Sequence, residues 1–112
     1  VVKKQLDDSL SLLKRADIGK IIIAYEPVWA IGSKNPARPH DANEMALFIK
    51  KTIAQRSGSA VARRICVLYG GSLDSKNAAS FLMEREISGL LVGSASRDVR
   101  EFTKILLCAA AL

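Results

Sequence analysis

Apolar residues recur along this chain in two rhythms. At the start they fall at Val2, Leu6, Leu10 and Leu13, steps of four and three that lay one stripe along a helix over residues 1–15. Ala16-Asp17-Ile18-Gly19 closes that helix, with Gly19 as a left-handed cap or turn. Lys20 to Glu26 then carries the unbroken run Ile21-Ile22-Ile23-Ala24, the pattern of a parallel strand buried on both faces. The helical rhythm returns over about residues 40–56, where Ala42, Met45, Ile49 and Ile53 share a face. Pro39 fits the first turn of that helix, Arg38 stands at its capping position, and Ser57-Gly58-Ser59 ends it. Arg64 to Tyr69 reads as a second strand, and Gly70-Gly71-Ser72 as a tight turn. Asp74 is a good N-cap for a helix of about residues 75–84, with Ala78, Phe81 and Leu82 facing inward. Ile87 to Val92 is the third strand, and a last helix from about residue 97 is striped by Val99, Phe102, Ile105 and Leu106.

The order helix-βα-βα-βα predicts a single α/β domain over residues 1–112, built on a parallel sheet with outer helices. Residues 27–38 make a long strand-to-helix connection, which marks them as a candidate lid. Glu26 stands where the first strand runs into that loop, and Pro27 after it favours an extended backbone. A carboxylate at the carboxyl end of a parallel strand is where α/β enzymes place catalytic groups.

Composition narrows the picture. With 49% hydrophobic and 25% charged residues the chain is of ordinary globular type, and no apolar run is long enough to span a bilayer. The net charge of +6 is spread over pairs such as Lys3-Lys4, Lys14-Arg15, Lys50-Lys51 and Arg63-Arg64. No stretch joins basic residues to stacking aromatics, so solvated helix faces are expected, and neither nucleic acid nor membrane is a partner. Cys66 and Cys108 match no metal or redox spacing. Cys66, inside an apolar strand, reads as a buried thiol of a reducing cytoplasm, and His40 as a solvated first-turn residue. The start Val1-Val2-Lys3-Lys4, without Met, reads as a piece of a longer protein.

Three segments carry a resemblance: Ala24-Tyr25-Glu26-Pro27-Val28-Trp29-Ala30-Ile31-Gly32, Tyr69-Gly70-Gly71-Ser72, and Gly89-Leu90-Leu91-Val92-Gly93-Ser94-Ala95-Ser96. In this order and spacing they resemble the C-terminal portion of the triosephosphate isomerases. The resemblance implies the last three βα units of a (β/α)₈ barrel, from the end of its fifth helix through its eighth. Three strands do not close a barrel of about 250 residues. Alone they would expose two sheet edges and an inner face, a surface that invites aggregation.

The resemblance also implies roles. Glu26 would be the general base that interconverts dihydroxyacetone phosphate and glyceraldehyde 3-phosphate through an enediolate, without metal or organic cofactor, in glycolysis and gluconeogenesis. Pro27, Val28 and Trp29 would form the N-terminal hinge of a lid over residues 28–37, which continues through Ala30, Ile31, Gly32 and Ser33 to Ala37. Gly32, Ser72, Gly93 and Ser94 would hold the phosphate, and Tyr69 would hydrogen-bond the closed lid. A cytoplasmic homodimer is implied. Lys34, Asn35-Pro36-Ala37 and Ser94 depart from the family's usual residues, in the lid and in the last phosphate loop. The family's first-strand Asn and Lys, its fourth-strand His and its dimer loops have no counterpart here, so the chain by itself is expected to be inactive. The competing reading is a non-catalytic phosphate-binding or scaffold piece. Retention of Glu26, which phosphate binding does not need, counts against it.

Overall fold

The computed structural model describes residues 1–32 and 35–112. Helix α1 (Val2–Leu10) buries Leu6 and Leu10. Its outer side carries the exposed pairs Lys3–Asp7 (2.7 Å) and Lys4–Asp8 (2.6 Å), as expected for solvated helix faces. The helix is shorter than its apolar stripe suggests. Beyond its end the Ser11 hydroxyl donates to the Asp8 carbonyl at 2.8 Å, a local bond of the kind that competes with further helix. Leu13 is left exposed, and a one-turn helix α2 (Arg15–Ile18) buries Ile18 instead. Gly19 is right-handed, at φ −66°, not the left-handed cap expected.

Strands β1 (Ile22–Tyr25), β2 (Cys66–Tyr69) and β3 (Gly89–Leu90) form one parallel sheet in sequence order. Ile22 pairs with Cys66 and Tyr25 with Tyr69; Leu68 pairs with Gly89 and Tyr69 with Leu90. Alternate side chains of a strand point to opposite faces. Val67 and Tyr69 are buried, and Ile23 and Tyr25 pack against the same core. Ile22, Ala24 and Cys66 are exposed on the other face. The continuous isoleucine run therefore belongs to a strand covered on one side only, with Ile22 66% exposed. Cys66 is likewise an exposed thiol, not a buried one.

The helix that gives the core its largest share is α3 (Pro39–Ser57), which buries Ala42, Ala46, Ile49 and Ile53. Pro39 begins it and Arg38 caps it without a side-chain cap bond. Arg38 instead pairs with Asp41 at 2.7 Å and holds that carboxyl below its usual range. Gly58 ends α3 at φ +94°, a conformation that favours glycine. A second helix, α4 (Ser59–Arg64), follows directly and buries Ala62. Its six residues were too few to show a helical period in the sequence.

Helix α5 (Ala78–Leu82) is shorter than the helix expected over about 75–84: Asp74 heads a turn that leads to it, Asn77 stands at its cap position, and Ala78 and Phe81 are buried. Helix α6 (Val99–Ala110) begins at an Asp98 cap that accepts from the Arg100 and Glu101 amides. Only Ile105 of the α6 stripe is buried; Val99 and Leu106 are exposed and Phe102 is half-buried. The radius of gyration is 14.5 Å and the extents are 41 × 28 × 23 Å. A compact chain of 100 residues has about 13 Å, so this one is an open slab with helices on one face. Along the unpaired edge of β1, a groove of about 840 Å³ runs between Leu6, Leu10 and Ile22 and reaches Trp29. Among the described residues, no helix is long and apolar enough to cross a membrane.

Candidate active site

The strand ladder runs on past the strand ends. Gly70 N–H donates to the Tyr25 carbonyl and Leu91 N–H to the Tyr69 carbonyl, both at 2.9 Å. Glu26, Gly70 and Leu91 therefore stand in one row at the carboxyl edge of the sheet. Gly70 is needed there for space. A methyl group at this position would lie 2.9 Å from Glu26 Cγ, 3.2 Å from its Oε1 and 3.3 Å from Leu91 Cβ. The Glu26 side chain itself is exposed.

The loop after Glu26 is anchored at both ends. Pro27 is buried and starts a 3-10 turn over Val28–Ala30, closed by Ala30 N–H to the Pro27 carbonyl at 2.8 Å. Ala30 is fully buried, whereas Val28, Trp29 and Ile31 face solvent. Gly32 has φ +64°, and among the described residues beyond its chain neighbours no atom lies within 4 Å of where a side chain would begin, so glycine serves conformation here. Ser33, expected in the lid, and Lys34 lie outside the described residues. At the far end, Ala37 N–H donates to the Tyr69 hydroxyl at 3.0 Å in a buried contact. Tyr69 stacks on Phe81 with centroids 4.1 Å apart. Burial raises the Tyr69 phenol above its usual pKa, and the Ala37 N–H pulls it the other way. Gly71 is enclosed by the same ring: a side chain there would collide with the Tyr69 hydroxyl.

A cleft of about 530 Å³ opens at this edge. Glu26, Gly32, Ser72, Gly93 and Ser94 all line it, so the catalytic and phosphate-binding candidates of three chain segments come together. Gly93 leads into a 3-10 turn over Ser94–Arg97. Ser96 fastens that turn, donating to the Gly93 carbonyl from its amide at 2.9 Å and from its hydroxyl at 2.6 Å. Successive backbone amides in such turns make anion-binding concavities. Among the described residues lining the cleft, Glu26 is the one carboxylate. The arrangement can therefore accept a proton at one wall and hold an anion at the other.

His40 is exposed and lies away from this lining. Among the described residues, no group of three His, Cys, Asp or Glu could hold a metal ion. One neighbour of the cleft escaped the sequence reading. Asn77 Nδ2 donates to the Ser72 carbonyl at 3.0 Å. Its spacing, three residues on from Asp74, which the sequence marked as a cap, is the signal that could have found it.

The family model described as "Triosephosphate isomerase" matches residues 1–109. Among curated relatives, the triosephosphate isomerase of Dictyoglomus thermophilum is 42% identical over 106 residues, covering 95% of this chain and 43% of its own length. That of Caldanaerobacter subterraneus subsp. tengcongensis is 43% identical over 106 residues, with the same two shares, 95% and 43%. That of Mycobacterium avium is 42% identical over 108 residues, covering 96% of this chain and 41% of the relative. The chain thus spans about two fifths of the length of the relatives it matches. The parallel sheet, the cleft at its carboxyl edge and the match over residues 1–109 together assign this chain to the triosephosphate isomerase family.

Proposed function

We propose that this chain supplies the general base and the phosphate cradle of a triose-phosphate isomerase site. Its residues correspond to the end of the fifth helix through the eighth helix of a (β/α)₈ barrel. The observation that carries the reading is the convergence of Glu26 with Gly32, Ser72, Gly93 and Ser94 on one cleft. Glu26 takes a proton from the carbon beside the substrate ketone and returns it to the neighbouring carbon. One carboxylate serves both steps, because both carbons lie within reach of one side chain. The intervening enediolate would lose phosphate if exposed to water. The loop between Pro27 and Ala37 is the lid that excludes water, and its bond to Tyr69 holds its far end. Amides at Gly32, Ser72, Gly93 and Ser94 hold the phosphate and fix the substrate against Glu26. The working enzyme is a cytoplasmic homodimer of glycolysis and gluconeogenesis.

The test joins residues 1–112 to the N-terminal remainder of the Dictyoglomus thermophilum relative and assays both directions of the isomerisation. The joined protein is expected to be active. The 112-residue chain assayed alone is expected to give no rate above buffer, since it lacks the family's Asn, Lys and His. A rate from that chain alone would contradict the reading.

Gly70→Ala in the joined protein is expected to displace Glu26 and lower turnover by about 10²-fold, the usual size of an ångström-scale misplacement. Steady-state rates check this, with a melting curve to show that the variant is folded. A fully active Gly70→Ala would mean that the Glu26 position is not limiting.

A further inference from the structure

Asp74 and Asn77 bond each other reciprocally. Asp74 Oδ1 accepts from the Lys76 and Asn77 amides at 2.8 and 2.9 Å, and Asn77 Oδ1 accepts from the Asp74 amide at 2.9 Å. This is the capping-box pattern, in which the third residue usually carries Glu or Gln. A carboxylate at position 77 would satisfy the Asp74 amide equally well. It would not make the further bond that Asn77 makes, from Nδ2 to the Ser72 carbonyl at 3.0 Å. One half-buried amide thus grips the chain on both sides of Leu73. Its orientation is fixed, because the reversed amide would set oxygen against the Ser72 carbonyl and nitrogen against the Asp74 amide. Glu101 of α6 adds an anchor, accepting from the Ser75 amide at 2.6 Å.

Ser72 faces the cleft, whereas Asp74 and Asn77 do not line it. The groups on Ser72 that could hold an anion are its amide and hydroxyl. Their directions follow from the rotation of this turn, and the Ser72 carbonyl is the point at which Asn77 holds it. We infer that Asn77 is a positioning residue: its side-chain amide fixes the Ser72 turn so that Ser72 meets the anionic group of the substrate. The inference rests on the phosphate-binding role proposed above for Ser72.

The test uses the joined protein, with inorganic phosphate as the probe. Amide NMR shifts are followed during titration. In the unsubstituted chain the Ser72, Gly93 and Ser94 amides are expected to move together. Asn77→Ala is expected to weaken phosphate by about tenfold, the worth of one well-placed hydrogen bond. It should abolish the Ser72 response while Gly93 and Ser94 still respond. Asp74→Ala removes the bonds its carboxylate accepts from the Lys76 and Asn77 amides but leaves the Asn77 bond to Ser72, so it should destabilise the chain to a similar degree with phosphate affinity kept within about threefold. Unchanged affinity in Asn77→Ala, or equal losses in the two variants, overturns the positioning role alone. No shift in the unsubstituted chain overturns the phosphate reading and this inference with it.

Discussion

Replacing Glu26 by Gln in the joined protein lowers turnover by about 10²–10⁴-fold, the range contributed by a positioned general base. Gln keeps the size and polarity of Glu but cannot take up the substrate proton. KM should stay within a few-fold, because the proposal assigns the phosphate to Gly32, Ser72, Gly93 and Ser94 and not to Glu26. The fold should be unaffected, since the Glu26 side chain is exposed at the sheet edge. Steady-state kinetics with a melting curve separate these outcomes. A Glu26→Gln variant with turnover near that of the parent would remove Glu26 from the chemistry, and the cleft would be a binding site only.

The largest expected loss of stability is at Tyr69. Its ring is 1% exposed, stacks on Phe81, and receives the Ala37 amide. Tyr69→Ala should cost about 3–5 kcal/mol, the range for truncating a buried aromatic side chain. That is a large part of the total stability of a small domain. Tyr69→Phe keeps the ring and the stack but leaves the Ala37 N–H without its acceptor, and should cost about 1–3 kcal/mol. Denaturant midpoints of the two variants measure the difference. In the joined protein, Tyr69→Phe should also loosen the far end of the lid. Equal losses in the two variants would mean that the hydroxyl contact, and not the packing, dominates.

Much of this arrangement was legible in the sequence, and the exceptions share a cause. Pro39 opens α3 and Ala42, Ile49 and Ile53 are buried, because a long helix leaves a clear period and Pro has one comfortable place in it. Glu26 was placed at the strand end because Pro27 limits the backbone that precedes it. The failures lie where burial depends on a second layer. An isoleucine run reads as buried on both faces, but Ile22 and Ala24 face outward because the helices cover only one side of the sheet. Cys66 is exposed for the same reason, and so are Val99 and Leu106 on α6. Short elements were missed on different grounds. Six residues of α4 cannot display a period, and the Ser11 turn ends α1 through one local bond. The site residues were named by resemblance. What the sequence did not reveal is how neighbours make room for them: Gly70 for Glu26, Gly71 for the Tyr69 ring, and Asn77 for the Ser72 turn.

The most direct measurement is hydrogen exchange with solvent during turnover. The joined protein is incubated with dihydroxyacetone phosphate in D₂O, and deuterium in substrate and product is read by NMR. The account predicts incorporation at the two carbons between which Glu26 carries the proton, and loss of that incorporation in Glu26→Gln. Incorporation that survives Glu26→Gln at the same rate would contradict it.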